Sequence, residues 1–87
     1  MYTERMYQRI GEKISVVGIY TNSTFQVKKF QWQQREFRVE KVNEVHNFRD
    51  GMMRKRRFSL LADGNVYLIE FNRDTEVWTL EQIWMEG

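Results

Sequence analysis

Apolar and polar residues alternate along most of this chain, which is the pattern of β-strands whose two faces meet different surroundings. In the clearest segment Tyr67, Ile69 and Phe71 share one face, and Val66 and Leu68 lie on the other. Six segments carry the pattern and are predicted strands: residues 14–20, 25–32, 37–48, 58–62, 66–71 and 77–85.

Turn chemistry separates these segments. Asp63-Gly64 is the strongest hairpin signal, because both residue types tolerate a positive φ. Polar residues at 22–24 and 72–75 and the Asp50-Gly51 pair mark further turns, whereas Gln33-Gln34 is a poor turn by propensity. The predicted fold is all-β, one domain over residues 1–87: a five- to six-stranded antiparallel meander, curled into a small barrel or packed as a two-layer sheet.

The alternation is irregular in three places. Three apolar residues at helical spacing predict a short N-terminal helical turn: Met6, Tyr7 and Ile10. Between residues 37 and 48 the apolar phase slips by one residue, which indicates a bulge near Glu40-Lys41. The alternative there is a short helix presenting Val39, Val42 and Val45. In the last strand the pattern places Trp78, Leu80 and Trp84 on one face, with Val77, Ile83 and Met85 opposite.

Aromatic residues are the expected source of stability in so short a chain. There is no cysteine and only one histidine, His46, so neither a disulfide framework nor a cysteine- or histidine-rich metal site is expected. Six rings are predicted to form the core, two of them near strand ends and partly exposed (Trp32 and Trp84): Phe30, Trp32, Phe37, Phe58, Trp78 and Trp84.

Motifs of known catalytic chemistry are not found in the sequence. The five glycines are isolated, so no phosphate-binding loop and no nucleophile elbow is formed. We interpret His46 as a polar residue at a strand end, and the acids near the hairpins as ordinary surface residues: Glu70, Asp74, Glu76 and Glu81. The chain is therefore predicted not to be an enzyme and to need no cofactor or metal.

No apolar run approaches the roughly 20 residues of a membrane span. The first eleven residues contain charges and lack the apolar core of a signal peptide. A cytoplasmic location without a membrane partner is therefore expected, and the sequence does not indicate an oligomeric state.

Charge is concentrated in the middle of the chain. Residues 28–57 carry ten Lys and Arg against four acids, whereas the rest carries four against eight. A surplus of this kind favours an anionic partner, although charges can also protect a sheet edge. On a strand, residues 54–57 would alternate between two faces. The candidate nucleic-acid-binding residues are Lys28, Lys29, Trp32, Arg49, Arg54, Lys55, Arg56 and Arg57.

Three stretches of sequence, residues 30–42, 57–71 and 77–84, resemble a family pattern. They are similar to "F-x-W-x-G-R-x-Y-x-V-x-x-V", "R-x-x-V-x-T-x-D-G-x-x-Y-x-L" and "x-W-x-L-x-x-x-W/Y". Together they resemble an uncharacterised family of small bacterial all-β domains, free-standing or near the C-termini of proteins related to Y-family DNA polymerases. Gln34 stands where the pattern has glycine, and Leu61 where it has a small polar residue. The resemblance implies an all-β fold and no catalytic residues.

Three functions remain open from the sequence. The preferred one is a non-catalytic binding module that contacts nucleic acid or another polyanion through the basic middle of the chain. The first alternative is a protein-interaction or assembly module that uses a sheet edge or an aromatic patch. The second is a small enzyme or ligand carrier with its site inside a barrel.

Overall fold

Eight antiparallel strands and no helix make up the part of the protein that the structure describes. A computed structural model describes the backbone of residues 5–86 and the side chains of residues 8–85. The strands are β1 (Arg5–Lys13), β2 (Ser15–Thr21), β3 (Thr24–Trp32), β4 (Arg35–Arg38), β5 (Lys41–Asp50), β6 (Met53–Ala62), β7 (Asn65–Asn72) and β8 (Val77–Glu86). They form a five-stranded sheet in the order β1-β8-β7-β6-β5 and a three-stranded sheet in the order β2-β3-β4.

The chain passes between the two sheets twice, from β1 to β2 and from β4 to β5. β1 continues into β2 at Ile14, whose N–H donates to the Trp78 carbonyl at 3.1 Å. β4 continues into β5 at Val39 and Glu40, whose N–H groups donate to the carbonyls of Lys28 at 3.0 Å and Leu61 at 2.8 Å. The domain is thus all-β, as predicted, and forms two antiparallel sheets and not a closed barrel; it is not a continuous meander, because β1 pairs with β8. The predicted third strand is divided at this second corner, which corrects the strand count.

The prediction of an N-terminal helical turn is wrong, because residues 5–13 form strand β1, which pairs with β8. Its register shifts between Arg9 and Glu12, so that Ile10 and Gly11 together face one residue of β8. This bulge does not explain the wrong prediction, because it follows Met6 and Tyr7; a spacing of four residues, as between positions 6 and 10, is compatible with a strand as well as with a helix. Met6 and Tyr7 lie on the same strand, although their side chains are outside the described part.

The alternative of a short helix with Val39, Val42 and Val45 is also wrong, because Lys41–Asp50 form strand β5. A bulge between Val42 and Glu44 places Val42 opposite Leu60 and Val45 opposite Phe58. Both valines therefore share a face despite their spacing of three residues. The phase slip predicted near Glu40-Lys41 arises from the sheet corner together with this bulge.

A third bulge corrects the faces of the last strand. In β8 the register against β7 shifts so that Glu81 is the extra residue. Ile83 is therefore on the same face as Trp78 and Leu80, opposite Tyr67, whereas Trp84 is on the outer face opposite Val66. Trp84 consequently does not belong to the core.

The core lies between the two sheets. Phe30 and Phe37 of the three-stranded sheet stack with ring centroids 4.9 Å apart, and both contact the ring of Tyr67 at 5.3 and 5.2 Å. Each buried ring stabilises the fold by about 1.5–3 kcal/mol. Of the predicted core rings, Phe30, Phe37 and Phe58 are buried, and Trp32 and Trp78 pack partly buried against them. The buried apolar set among the described residues is Val27, Phe30, Phe37, Phe58, Leu60, Ala62, Tyr67, Ile69, Leu80 and Ile83.

Three hairpins turn on two residues that both have positive φ. These turns are Asn22-Ser23 (52° and 67°), Gln33-Gln34 (52° and 62°) and Asp63-Gly64 (55° and 77°). Positive φ at both positions defines the turn whose twist matches that of antiparallel strands. Asp63-Gly64 was predicted on this ground, whereas Gln33-Gln34 adopts the turn without a residue that favours it.

Candidate nucleic-acid interface

The basic run at residues 54–57 lies on β6, so its side chains alternate as predicted. Arg54 and Arg56 are on the same face as Phe58, which points towards the three-stranded sheet. Lys55 and Arg57 are on the opposite, outer face of the five-stranded sheet. The four cations therefore do not form one surface.

The two outer cations are already paired. Lys55 Nζ is 3.0 Å from Asp50 Oδ2 and 3.7 Å from Glu70 Oε1, and Arg57 Nη2 is 3.4 Å from Glu70 Oε2. The hydrogen bond to Asp50 is the main cause of a raised pKa of Lys55. Arg57 also lies over the ring of Phe48, 4.7 Å from its centroid. This side of β6 therefore has little positive charge left for a ligand.

Glu70, which we interpreted as an ordinary surface residue, is only 5% exposed. Burial raises its pKa, and the nearby Glu81 carboxylate raises it further, while Arg57 and Lys55 act in the opposite direction. The sequence contains a signal for this pairing. Once Asp63-Gly64 is recognised as a two-residue turn, counting back along both strands places Arg57 opposite Glu70.

Lys28, Lys29 and Trp32 lie on β3, in the other sheet. Lys29 Nζ is 3.0 Å from Glu36 Oε1, and Trp32 Nε1 donates to Glu12 Oε1 at 3.0 Å. Lys28 is exposed at a bulge in the register with β2. These three residues do not join the arginines of β6 in a common patch.

The structure does bring together an aromatic cleft of about 310 Å³ between the sheets, beside the 73–76 loop. Three residues of the three-stranded sheet form one wall, and β6, β7, β8 and the loop form the other. The lining residues are Val16, Tyr20, Phe25, Arg56, Phe58, Phe71, Glu76 and Trp78. Its volume lies at the lower end of the range of small-ligand sites, about 300–1,000 Å³.

A continuous series of rings crosses this cleft. Tyr20 contacts Phe25 with centroids 5.0 Å apart, and Phe25 contacts Trp78 at 5.8 Å. Trp78 in turn contacts Phe71 at 4.6 Å. Tyr20, at 76% exposed, is the most accessible ring of the series. Its open face is therefore available to a planar ligand.

Gly18 allows Phe25 to take part in this series. A Cβ added at this glycine would lie 2.5 Å from Phe25 Cζ and 2.3 Å from the Gln26 carbonyl oxygen. The ring therefore occupies the space that any other side chain would need. No local sequence pattern pointed to this contact.

Three arginines lie on the cleft side of β5 and β6. Arg54 donates from its backbone N–H to Asp74 at 2.7 Å, and from Nε and Nη2 at 3.1 and 2.8 Å. These hydrogen bonds hold the pKa of Asp74 below its usual value. Arg56 Nε donates to Asn47 Oδ1 at 2.7 Å, which leaves its Nη atoms available. Arg49, opposite Arg54, has no side-chain hydrogen bond or ion pair with the described residues.

Glu76 is the acidic residue of the cleft. It has a positive φ of 62°, and its N–H donates to the Asn72 carbonyl at 2.7 Å. Within the described part of the chain its carboxylate forms no hydrogen bond or ion pair, and thus does not pair with Arg56 across the cleft.

The chain was compared with known proteins, and no family model, curated protein or solved structure matches it. Over the described residues, no three His, Cys, Asp or Glu side chains cluster as a metal site would require. Nor does any helix long and apolar enough to cross a membrane occur there.

Proposed function

We propose that this domain is a non-catalytic module that binds single-stranded nucleic acid, with a base stacked in the aromatic cleft and phosphates against Arg49 and Arg56. The observation that carries the proposal is the accessible series of rings beside two arginines, Arg49 and Arg56, neither of which forms an ion pair with a carboxylate of the described residues, although Arg49 lies near enough to Asp74 to help lower the pKa of that carboxyl. Aromatic rings supply stacking surfaces, and guanidinium groups supply phosphate contacts.

A single strand fits this cleft better than a duplex does. The rings lie in a recess between two sheets, and a base reaches them only when it is unstacked from its neighbours. Duplex bases remain stacked and paired, and their extraction costs a few kcal/mol. Stacking on one ring contributes about 1–3 kcal/mol per base, and an already unpaired strand gains this without the cost of extraction.

Two further features support a polyanion as the ligand. Residues 28–57 carry a surplus of positive charge, and the chain resembles domains associated with DNA polymerase relatives. In this proposal Lys28, Lys29, Trp32, Lys55 and Arg57 are not contact residues, because they lie elsewhere or are paired. The interface is therefore smaller than the one proposed from sequence.

Fluorescence anisotropy with a labelled oligothymidylate at low salt tests the proposal. Tyr20→Ala should weaken binding about 5- to 150-fold, the equivalent of one stacked base. With two phosphates contacted, the logarithm of the affinity should fall with the logarithm of salt with a slope of about −1.4, and Arg56→Ala should make it shallower. Lys28→Ala is the matched control and should bind like the wild type. Absence of wild-type binding at low salt, both to oligothymidylate and to a single strand that contains all four bases, would exclude the function.

The free edge of β5 supports a second candidate function, assembly through strand addition. β5 has ten residues and pairs only with β6, and no strand of residues 5–86 covers its other edge. Val45 on this strand is 51% exposed. Long exposed edges are templates for pairing with another chain.

Sedimentation equilibrium tests this assembly. If β5 pairs with another copy, the wild type should dimerise, and Val45→Lys should shift it to monomer by placing a charge at the edge. Val17→Lys, at a site 53% exposed on the other sheet, is the control. A wild type that stays monomeric across the accessible concentrations argues against self-assembly.

A further inference from the structure

We infer that the base held in the aromatic cleft is guanine, recognised through hydrogen bonds from its N1–H and N2–H to the carboxylate of Glu76. This inference rests on the proposed function and adds the identity of the base. It starts from the carboxylate of Glu76, which has no partner among the described residues and lies in a cleft otherwise suited to an anion.

Glu76 is exposed, so water solvates its carboxylate in the free protein. A nucleic acid that enters the cleft displaces this water and brings phosphates of like charge, which is unfavourable unless the ligand also supplies hydrogen-bond donors to the carboxylate. Glu76 and Arg56 line the same cleft without pairing with each other. A ligand with donors on one side and an anion on the other satisfies both groups. A nucleotide does this when its base edge faces the acid and its phosphate faces the arginine.

Guanine has the base edge that a carboxylate fits best. Its N1–H and exocyclic N2–H point in the same direction, so both oxygens of Glu76 can accept a hydrogen bond at once. Adenine and cytosine offer a single amino group next to a ring nitrogen acceptor. The N3–H of thymine or uracil lies between two carbonyl oxygens, which repel the carboxylate.

Hydrogen bonds to Asn72 hold the loop that carries Glu76. The Asn72 side chain accepts hydrogen bonds from the N–H groups of Asp74 at 2.9 Å and Thr75 at 3.0 Å. Glu76 then adopts a positive φ, a conformation for which glycine is favoured.

The test compares oligothymidylates that carry one central guanine, adenine, cytosine or hypoxanthine. Wild-type protein should prefer guanine by about 5- to 150-fold, the range of one bidentate base contact. Hypoxanthine lacks the N2 amino group and should lose most of this preference. Glu76→Gln should lose the preference and bind the all-thymine strand as well as or better than the wild type.

Two more variants separate recognition from folding. Glu76→Gly removes the carboxylate and relieves the positive φ, so it should raise the melting temperature while the guanine preference disappears. Glu44→Gln changes an exposed acid on β5 and should leave the preference intact. A preference that survives in Glu76→Gln and Glu76→Gly overturns the inference. Equal binding of all four bases by the wild type overturns the inference alone, whereas no binding of any strand overturns the proposed function.

Discussion

Arg57 on β6 and Glu70 on β7 lie directly opposite each other on the outer face of the five-stranded sheet, with Arg57 Nη2 3.4 Å from Glu70 Oε2. Glu70 is buried on the outer face of this sheet, where Arg57 and Lys55 flank it and Glu81 lies beside it. Its pKa remains raised despite the two cations, since burial and Glu81 disfavour the charged form more strongly. The two cations thus reduce the free-energy cost of burying the Glu70 carboxylate, but they do not eliminate that cost.

The raised pKa of Glu70 predicts how stability depends on pH. A carboxyl that holds its proton more tightly in the folded protein favours folding most below its ordinary pKa of 4.5, and this contribution is lost as pH rises through the folded value. Glu70→Gln removes the titration. Its free energy of unfolding relative to the wild type should therefore increase as the pH rises from about 4 to about 7, as measured by urea denaturation.

Glu44→Gln is the control for this comparison, since Glu44 is exposed on the neighbouring edge strand. Its stability relative to the wild type should change much less over the same pH interval. If the difference between Glu70→Gln and the wild type were constant, or decreased as the pH rose, the raised pKa would be wrong.

Asp74 predicts the opposite pH dependence. Arg54 holds its pKa below the ordinary 3.8, so the ionised form stabilises the folded protein above that pH, and the contribution is lost as pH falls through the folded value. Asp74→Asn should melt at a lower temperature than the wild type near neutral pH, and the gap should narrow as the pH falls to about 2. Thermal melts followed by circular dichroism measure both. A gap that stays unchanged in acid would contradict this interpretation.

The strands could be predicted from period-two alternation, but the faces of several strands could not. At each bulge an extra residue changes the spacing of same-face residues from two to three, as between Val42 and Val45 or between Leu80 and Ile83. A spacing of three is also the start of a helical pattern, so local sequence does not distinguish the two. Pairing with the neighbouring strand decides between them.

The cleft was the least predictable feature, because its residues come from both sheets. The alternation of Arg54 and Arg56 with Lys55 and Arg57 followed from strand geometry alone. Which of these cations would be neutralised depended on acids that belong to other elements, Glu70 on β7 and Asp74 in the 73–76 loop. Glu76 was named only as a surface acid, since nothing near it in sequence indicates aromatic neighbours from β2 and β3.

Gly18 predicts a link between the fold of β2 and the shape of the cleft. In Gly18→Ala the new Cβ meets a backbone oxygen at 2.3 Å, which side-chain rotation cannot relieve, as well as the Phe25 ring. We expect a loss of about 1–3 kcal/mol in unfolding free energy, the range for overpacking, and weaker oligonucleotide binding as Phe25 is displaced. Val17→Ala, at an exposed neighbouring site, should stay within about 0.5 kcal/mol of the wild type. If Gly18→Ala were as stable as the wild type, the strand would accommodate the new Cβ without a loss of unfolding free energy, and this prediction would be wrong.

The turn at Gln33-Gln34 predicts a gain in stability. Gln34 has a φ of 62°, where a side chain costs about 1–2 kcal/mol relative to glycine. Gln34→Gly should therefore raise the free energy of unfolding by roughly 1 kcal/mol, less the entropy that glycine adds to the unfolded chain. Gly64 occupies the same position in another turn, with φ 77° and open space where a Cβ would lie, so Gly64→Gln should lose a similar amount. Urea denaturation measures the free energy of unfolding of both variants. If Gln34→Gly and Gly64→Gln both raised it, or both lowered it, positive φ would not be the cause of the two changes.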